Sequence, residues 1–443
     1  MILLKVFKKW DFLIIAIAIV AVISFFNFFK AINFQYADWD GFLYLSYSKT
    51  IISGKSAFFY TIKSPILALI FPDLMLARIE MIIFHLISTA LVYLITLRLT
   101  KNKLASLFST LCYGVNYWIV IFLLGTMSDI PAMSFFLICF YFWLSENKKK
   151  YVYAGLFAGL AFMARFDVLL LIIPMIFLTP KKRINLKYFL VPMLILAIPF
   201  EILLDVLVFK RLIYVPYEFF YVNFTERLPF RMTAYQNNHF YFLKEFVMSF
   251  PLLSFLMLFA IPKWRNPALY IFLFLTIAFI FIPLPDDRIY FVKAIPLVAI
   301  LASNYVLYFT HRKTIFTDKF FVFLFFILII GINFYHVFNT NYQDWRLEKI
   351  KCLDGVICSN LPTVINYYCR KNAVYIYQSG KDYVGLIPEL NATEVVIKNL
   401  KNCDNLIYFK HYFGYQESID NYLKTNYNLI ESNEMLSLYK IRK

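Results

Sequence analysis

Leu13-Ile14-Ile15-Ala16-Ile17-Ala18-Ile19-Val20-Ala21-Val22-Ile23-Ser24-Phe25-Phe26-Asn27-Phe28-Phe29 runs without a single charge. Such a run predicts a membrane-spanning helix, because in lipid every backbone N–H and C=O must be satisfied within the segment. A barrel strand would instead alternate with period two. Similar runs recur over the first three quarters of the chain, so the fold class is an α-helical polytopic membrane protein. Composition agrees: 61% of the 443 residues are hydrophobic, 51 are Phe, and the mean hydropathy is +0.66. These values lie outside the soluble globular class.

The net charge of +17 does not point to nucleic acid, because the basic residues sit in short connectors. They cluster at Lys5, Lys8 and Lys9, at Arg98, Lys101 and Lys103, at Lys148 to Lys150, at Lys181 to Arg183, at Lys263 and Arg265, and at Arg312, Lys313 and Lys319. This is the positive-inside pattern, with anionic inner-leaflet lipids as partners. It places the N-terminus inside a cell membrane. No small-residue cleavage site follows the first run, so it reads as a retained span.

Alternating connectors give about eleven transmembrane helices. They fall near 12–31, 80–98, 104–122, 129–145, 152–164, 168–179, 188–209, 242–262, 267–284, 292–309 and 319–338. Polar Asn116 within 104–122 points to a broken or tilted helix. Residues 1–338 are expected to form the transmembrane domain, with a long first extracytoplasmic loop at 32–79. Residues 339–443 then form an outside tail. There Asn, Lys, Asp and Glu rise, strand-like runs appear at 373–377 and 406–409, and two short apolar runs end at 436–441. Helix candidates at 391–400, with a capping-box spacing, and at 417–424 complete a small α/β domain.

Cys352, Cys358, Cys369 and Cys403 lie in that tail, where an oxidising outside compartment favours disulfides; four cysteines allow three pairings. Zinc is the rival, but no CxxC pair supports it. Cys112 and Cys139, inside spans, read as apolar packing. The sequons at Asn223 and Asn391 fall on the predicted outside.

Chemistry-bearing residues return repeatedly to the outer face. Tyr36-Ala37-Asp38-Trp39-Asp40-Gly41-Phe42-Leu43-Tyr44 follows the first span. In extended backbone Asp38 and Asp40 point the same way and could ligate a divalent metal together, whereas on a helix they diverge by about 200°. An amphipathic juxtamembrane helix then runs to Ser53-Gly54-Lys55. Lys63-Ser64-Pro65 could hold an anionic headgroup, or Lys63 could simply snorkel. Asp129, in Ser128-Asp129-Ile130-Pro131, opens the fourth span either as a helix cap or as a rigidly held functional carboxylate. Arg165-Phe166-Asp167 joins two spans by almost no loop. Its charges are costly near hydrocarbon, as a functional pair or as a mutual ion pair. Arg288 in Asp286-Asp287-Arg288-Ile289-Tyr290 occupies a similar place, and arginine can grip phosphate bidentately. Carboxylates for a base and cations for a phosphate, gathered at one membrane face, suit sugar transfer from a lipid-phosphate carrier.

In these motifs the chain resembles the C-type glycosyltransferases, in the polyprenyl-phosphate-sugar-dependent branch that includes protein O-mannosyltransferases and lipid A aminoarabinose transferases. The first-loop acid, tyrosine and juxtamembrane helix are matched by Asp40 to Tyr44 through Ser53-Gly54-Lys55. The family's usual second acid is absent, because Gly41 follows Asp40; Asp38 stands on the other side. Lys63-Ser64-Pro65 is similar to a lysine-proline element, and Ser128-Asp129-Ile130-Pro131 to the second acidic element. Ala154-Gly155-Leu156 to Ala164-Arg165-Phe166 resembles a small-residue helix ending in a basic residue. Arg288-Ile289-Tyr290 with Ile295-Pro296 resembles an arginine-tyrosine entry to a span. The matches cover about residues 10 to 300.

The resemblance implies an inverting transfer from a polyprenyl- or dolichyl-phosphate sugar to a protein, lipid or glycan acceptor outside the membrane. Asp40 would be the acceptor-activating base, with Asp38 as helper or metal ligand and Asp129 orienting the acceptor or sharing that role. Lys63, Arg165 and Arg288 would hold the donor phosphate, with Tyr44, Asp167 and Tyr290 in the substrate pocket. No cofactor is required by this resemblance, although Mg or Mn would suit Asp38 and Asp40. The rival is a transporter or flippase of lipid-linked sugars, which would gather charges near the bilayer midplane. Glu201 and Asp205 are the main charges of that kind, and no internal repeat typical of transporters is present. A structural membrane protein with an outside binding domain would leave the aligned acids and arginines without a role.

Overall fold

The computed structural model describes residues 2–31, 44–45, 48, 66, 73–146, 149–179, 183–209, 214–221, 241–260, 266–281, 287–311, 317–340, 357–359, 373–375, 400–409, 417–432 and 436–442. Asp38, Asp40, Lys63, Cys352 and Cys369 lie outside them, as do the side chain of Arg288, both sequons and nearly all of the helix expected at 391–400.

The chain divides into two compact units. One comprises Met1–Asn33, Met75–Glu201 and Arg231–Tyr342; the other comprises Phe34–Leu74, Ile202–Phe230 and Gln343–Lys443.

The first unit is helical. It begins with α1 (Ile2–Ala31), α2 (Leu74–Thr100), α3 (Lys103–Gly114), α4 (Tyr117–Leu124), α5 (Asp129–Trp143), α6 (Lys150–Ala164), α7 (Leu169–Leu178) and α8 (Arg183–Ile195). Among the described residues, four helical stretches are long and apolar enough to cross a membrane: Phe12–Lys30, Leu74–Thr100, Asn185–Val208 and Tyr290–Tyr308. A fifth arises if α3 and α4, bent by 48°, make one broken span. Five shorter apolar helices accompany them. The chain is a multi-pass membrane protein.

Asparagines explain how the broken span survives. Asn102 Oδ1 accepts from Ala105 N at 3.0 Å, and Asn116 Oδ1 accepts from Trp118 N at 3.1 Å, capping the two half-helices. Neighbours supply the rest. Asn27 Nδ2 on α1 donates to Val120 O at 2.9 Å, and Tyr117 N donates to Asn333 Oδ1 at 2.8 Å. At the bend itself the N–H groups of Tyr117 and Trp118 thus find side-chain partners where lipid offers none. The reading of Asn116 as a break in this span matches the observed geometry.

The helices that position the site pack closely. α5 lies along α6, and α6 along α8. The α6–α8 crossing depends on glycine: a Cβ on Gly155 would collide with the Phe189 carbonyl oxygen, and one on Gly159 would meet Leu196 Cβ at 2.8 Å. Small residues four apart let two membrane helices approach backbone to backbone.

The chain continues as a π-helical turn (Leu196–Phe200), α9 (Glu201–Phe209), α10 (Val215–Tyr221), α11 (Tyr241–Ser249), α12 (Pro251–Met257), α13 (Pro267–Phe281), α14 (Asp287–His311) and α15 (Thr317–Asn339). Residues 290–307 of α14 are buried throughout, and α14 packs on α3, α5, α12, α13 and α15. A helix apolar all round belongs in the centre of a bundle.

In the second unit the tail forms a five-stranded mixed sheet of order β2-β1-β3-β5-β4, with β1 (Ile357–Ser359), β2 (Ala373–Tyr375), β3 (Asn405–Phe409), β4 (Tyr427–Ser432) and β5 (Leu436–Ile441). β1 pairs in parallel with β2 and β3, while β5 pairs antiparallel with β3 and β4. α16 (Glu417–Asn426) contributes Leu423 to a core of Cys358, Leu400, Cys403, Leu406 and Tyr427. Cys358 and Cys403 form a disulfide through that core, closing 45 residues of chain. Of the three pairings open to the four cysteines, this bond excludes the two that separate Cys358 from Cys403. Cys112 and Cys139 are free and buried, as apolar packing requires.

Candidate active site

Two abrupt chain reversals and one central helix bring the first unit's charges together. Between α4 and α5, Thr126 adopts φ 52°. A β-branched residue rarely tolerates this left-handed conformation, and strained backbone of this kind clusters at functional sites. Thr126 is buried and its Oγ1 donates to Gly125 O at 2.8 Å. The turn starts α5 at Asp129. The Asp129 carboxylate, 2% of the residue exposed, points to cations from other helices.

The second reversal is Arg165. Its extended backbone, φ −160° and ψ 116°, ends α6, and Phe166–Val168 makes a single 3₁₀ turn before α7. Both Arg165 and Asp167 are thereby held at one buried corner. The third contributor is Lys293, within the apolar start of α14 and 0% exposed.

Among the described residues the geometry is a four-charge cluster. Arg165 Nη1 donates to Asp129 Oδ2 at 2.7 Å and to Ser128 Oγ at 3.1 Å, while its Nε donates to Asp167 Oδ2 at 3.2 Å. Lys293 Nζ donates to Asp167 Oδ2 at 3.1 Å and to Asp129 Oδ1 at 3.4 Å. Two carboxylates thus share two cations. The pairing matters, because an isolated charge so deeply buried would be prohibitively costly. The mutual ion pair, one of the two readings of Arg165 and Asp167, is present as one edge of a larger network reaching Asp129.

Lys293 and Ser128 were not singled out by sequence reasoning. The available signal was a lone cation in Phe291-Val292-Lys293-Ala294-Ile295-Pro296, since an ionisable group inside a span is a functional candidate by default.

The other expected residues lie elsewhere. Tyr290 is fully buried near the start of α14. Its hydroxyl lies 2.9 Å from Thr276 Oγ1, and its ring packs against Phe246 and Phe279. Tyr44, in the second unit, is also fully buried. Arg288 belongs to the first turn of α14. Glu201 and Asp205 are both 0% exposed, and Asp205 Oδ2 accepts from Val215 N at 2.9 Å. Among the described residues no group of three His, Cys, Asp or Glu side chains could hold a metal ion. The metal pair expected at Asp38 and Asp40 lies outside them.

Residues 57–207 match the family model described as dolichyl-phosphate-mannose-protein mannosyltransferase. No curated protein sequence gives a match. Among solved structures, the fold is similar to apo ArnT from Cupriavidus metallidurans, with a TM-score of 0.62 at 13% identity, covering 98% of each chain. It is also similar to the Archaeoglobus fulgidus oligosaccharyltransferase, solved with Zn and sulfate, with a TM-score of 0.58 at 14% identity over 90% of this chain and 68% of that one. A second structure from that organism, oligosaccharyltransferase AglB with an inhibitory peptide and a dolichol-phosphate, gives 0.58 at 14% identity over 91% and 70%. These are C-type glycosyltransferases. The chain has their fold, as the resemblance implied.

Proposed function

We propose that this protein is a membrane glycosyltransferase that moves a sugar from a polyprenyl- or dolichyl-phosphate carrier to an acceptor on the outer face of the membrane. One observation carries the reading: the buried union of Asp129, Arg165, Asp167 and Lys293 in a fold shared with ArnT and AglB. Such a preorganised charge array, shielded from water, is what a reaction that separates charge exploits.

In the proposed reaction an acceptor hydroxyl oxygen attacks the anomeric carbon on the face opposite the carrier phosphate. Its proton passes to an aspartate carboxylate. The bond from the anomeric carbon to the phosphate oxygen breaks, and its electron pair leaves with the carrier phosphate. Configuration at the anomeric carbon inverts. Asp40 is the proposed base, Asp38 its helper, and Asp129 orients the acceptor. Lys63 and Arg288 neutralise the departing phosphate. Arg165, engaged by Asp129 and Asp167, supports that charge while holding the two carboxylates. The eleven-span topology, an inside N-terminus and an outside tail accompany this proposal. The Cys358–Cys403 disulfide supports the last of these, because such bonds persist in oxidising compartments.

Sugar transfer from labelled polyprenyl-phosphate donors, measured in membranes for wild type and for Asp38→Asn, Asp40→Asn and Asp129→Asn, tests the assignment. Loss of turnover in Asp40→Asn and Asp129→Asn is expected; normal turnover in all three sinks it. A second reading, a transporter of lipid-linked sugars, draws on Glu201 and Asp205, buried on α9 after a π-helical turn. Movement of intact donor across vesicles, without cleavage of the sugar–phosphate bond, would favour it.

A further inference from the structure

Asp129 and Asp167 belong to different elements, yet both reach one ammonium group. Lys293 Nζ is 3.1 Å from an Asp167 oxygen and 3.4 Å from an Asp129 oxygen, and no part of the lysine meets solvent. Two carboxylates converging on one point is how proteins hold hard divalent cations. Here a side chain of this chain fills that point. The lysine gains nothing from hydration there, and its neighbours Phe291, Val292, Ala294 and Ile295 are all buried and apolar. Its cost of burial is offset through these two acids.

We infer that Lys293 is a built-in counter-cation, standing where a divalent metal would otherwise stand between Asp129 and Asp167, and that it is a positioning residue for Asp129. Without it the two carboxylates would lose one of the two cations that the described contacts give them, at a buried place. The vacated place would then suit an external cation. Arg165 is already committed, because Nη1 binds the other Asp129 oxygen and Nε the Asp167 oxygen that Lys293 shares, and its planar fork fixes their separation. The catalytic half of the inference rests on the proposed transfer reaction; the geometric half does not.

The test uses the full chain in nanodiscs, as wild type, Lys293→Ala and Lys293→Gln, with Lys293→Ala/Asp129→Asn as control. Mn²⁺ alone is the probe, followed by loss of its free electron paramagnetic resonance signal. Lys293→Ala is expected to bind one Mn²⁺ at least about tenfold more tightly than wild type does, and the double variant to lose that site. Lys293→Gln serves if the alanine variant does not fold. A folded Lys293 variant that gains no Mn²⁺ site overturns the assignment of the cation's place.

The positioning role is read separately, by sugar transfer. Lys293→Ala should lower kcat about 10²-fold with a much smaller change in KM for the lipid donor, and added propylamine should restore at least about tenfold. A lysine that merely supports packing would not respond to a soluble amine. Turnover within about twofold of wild type, or a loss that propylamine does not relieve, overturns the positioning role. If wild type itself transfers no sugar, the proposed function fails, and the Mn²⁺ measurement still decides the geometry.

Discussion

Arg165 Nη1 stands 2.7 Å from Asp129 Oδ2, joining the end of one helix to the start of another across 36 residues of chain. The same guanidinium also holds Asp167 through Nε at 3.2 Å. Removing it takes from two buried carboxylates one of the two cations described beside them. Arg165→Met should therefore cost about 3–5 kcal/mol of stability. The double variant Arg165→Met/Asp167→Asn should cost less than the sum of its two single changes, by about 1 kcal/mol or more. Thermal unfolding of the four proteins in detergent, run as a double-mutant cycle, checks both expectations; strict additivity would contradict the network.

Thr126 carries the backbone strain that starts α5, at φ 52°. Glycine accepts this conformation freely, whereas an L-residue pays about 1–2 kcal/mol. Thr126→Gly should therefore be more stable than Thr126→Ala by about 1 kcal/mol, the reverse of the order seen within helices. Paired thermal melts decide it, and an alanine variant at least as stable as the glycine variant would count against strain at this turn.

Gly155 lets α6 approach the backbone of α8, since any Cβ meets the Phe189 carbonyl. Gly155→Leu should destabilise the protein by about 1–3 kcal/mol or more, as overpacking does. It should also lower transfer activity, because α6 carries Arg165 at its end. Fluorescence-detected size exclusion after graded heating would reveal the loss, and an unshifted profile would refute the close crossing.

In the tail, Tyr427 is buried and its hydroxyl bonds to Leu400 O at 2.5 Å and Cys403 O at 3.2 Å. Burial, reinforced by Tyr422 and Asp404, pushes its pKa up to about 12. Folding thus favours the protonated phenol. Its contribution is whole below the ordinary tyrosine pKa of about 10 and disappears as pH rises toward the folded value. Calorimetry of the full chain should show the tail's transition falling between about pH 10 and 12. Tyr427→Phe should flatten that dependence and lower stability by about 1 kcal/mol at neutral pH.

Residue order by itself determined much of this protein. The uncharged run from Leu13 to Phe29 and its successors imposed membrane helices, because lipid leaves backbone groups no other partner. Asp129, Arg165 and Asp167 stood out because charges at the edge of apolar runs are expensive, and Asn116 marked the broken span. Tertiary structure alone decided which charges meet. Lys293 reads along the chain like any flanking lysine that might snorkel to water. Only the rotation of α14 within the bundle turns it toward two acids more than a hundred residues away in sequence. The choice of Cys403 as the partner of Cys358, and the left-handed turn at Thr126, were likewise set by packing. Period and composition record which residues avoid water; they do not record which of the hidden ones face each other.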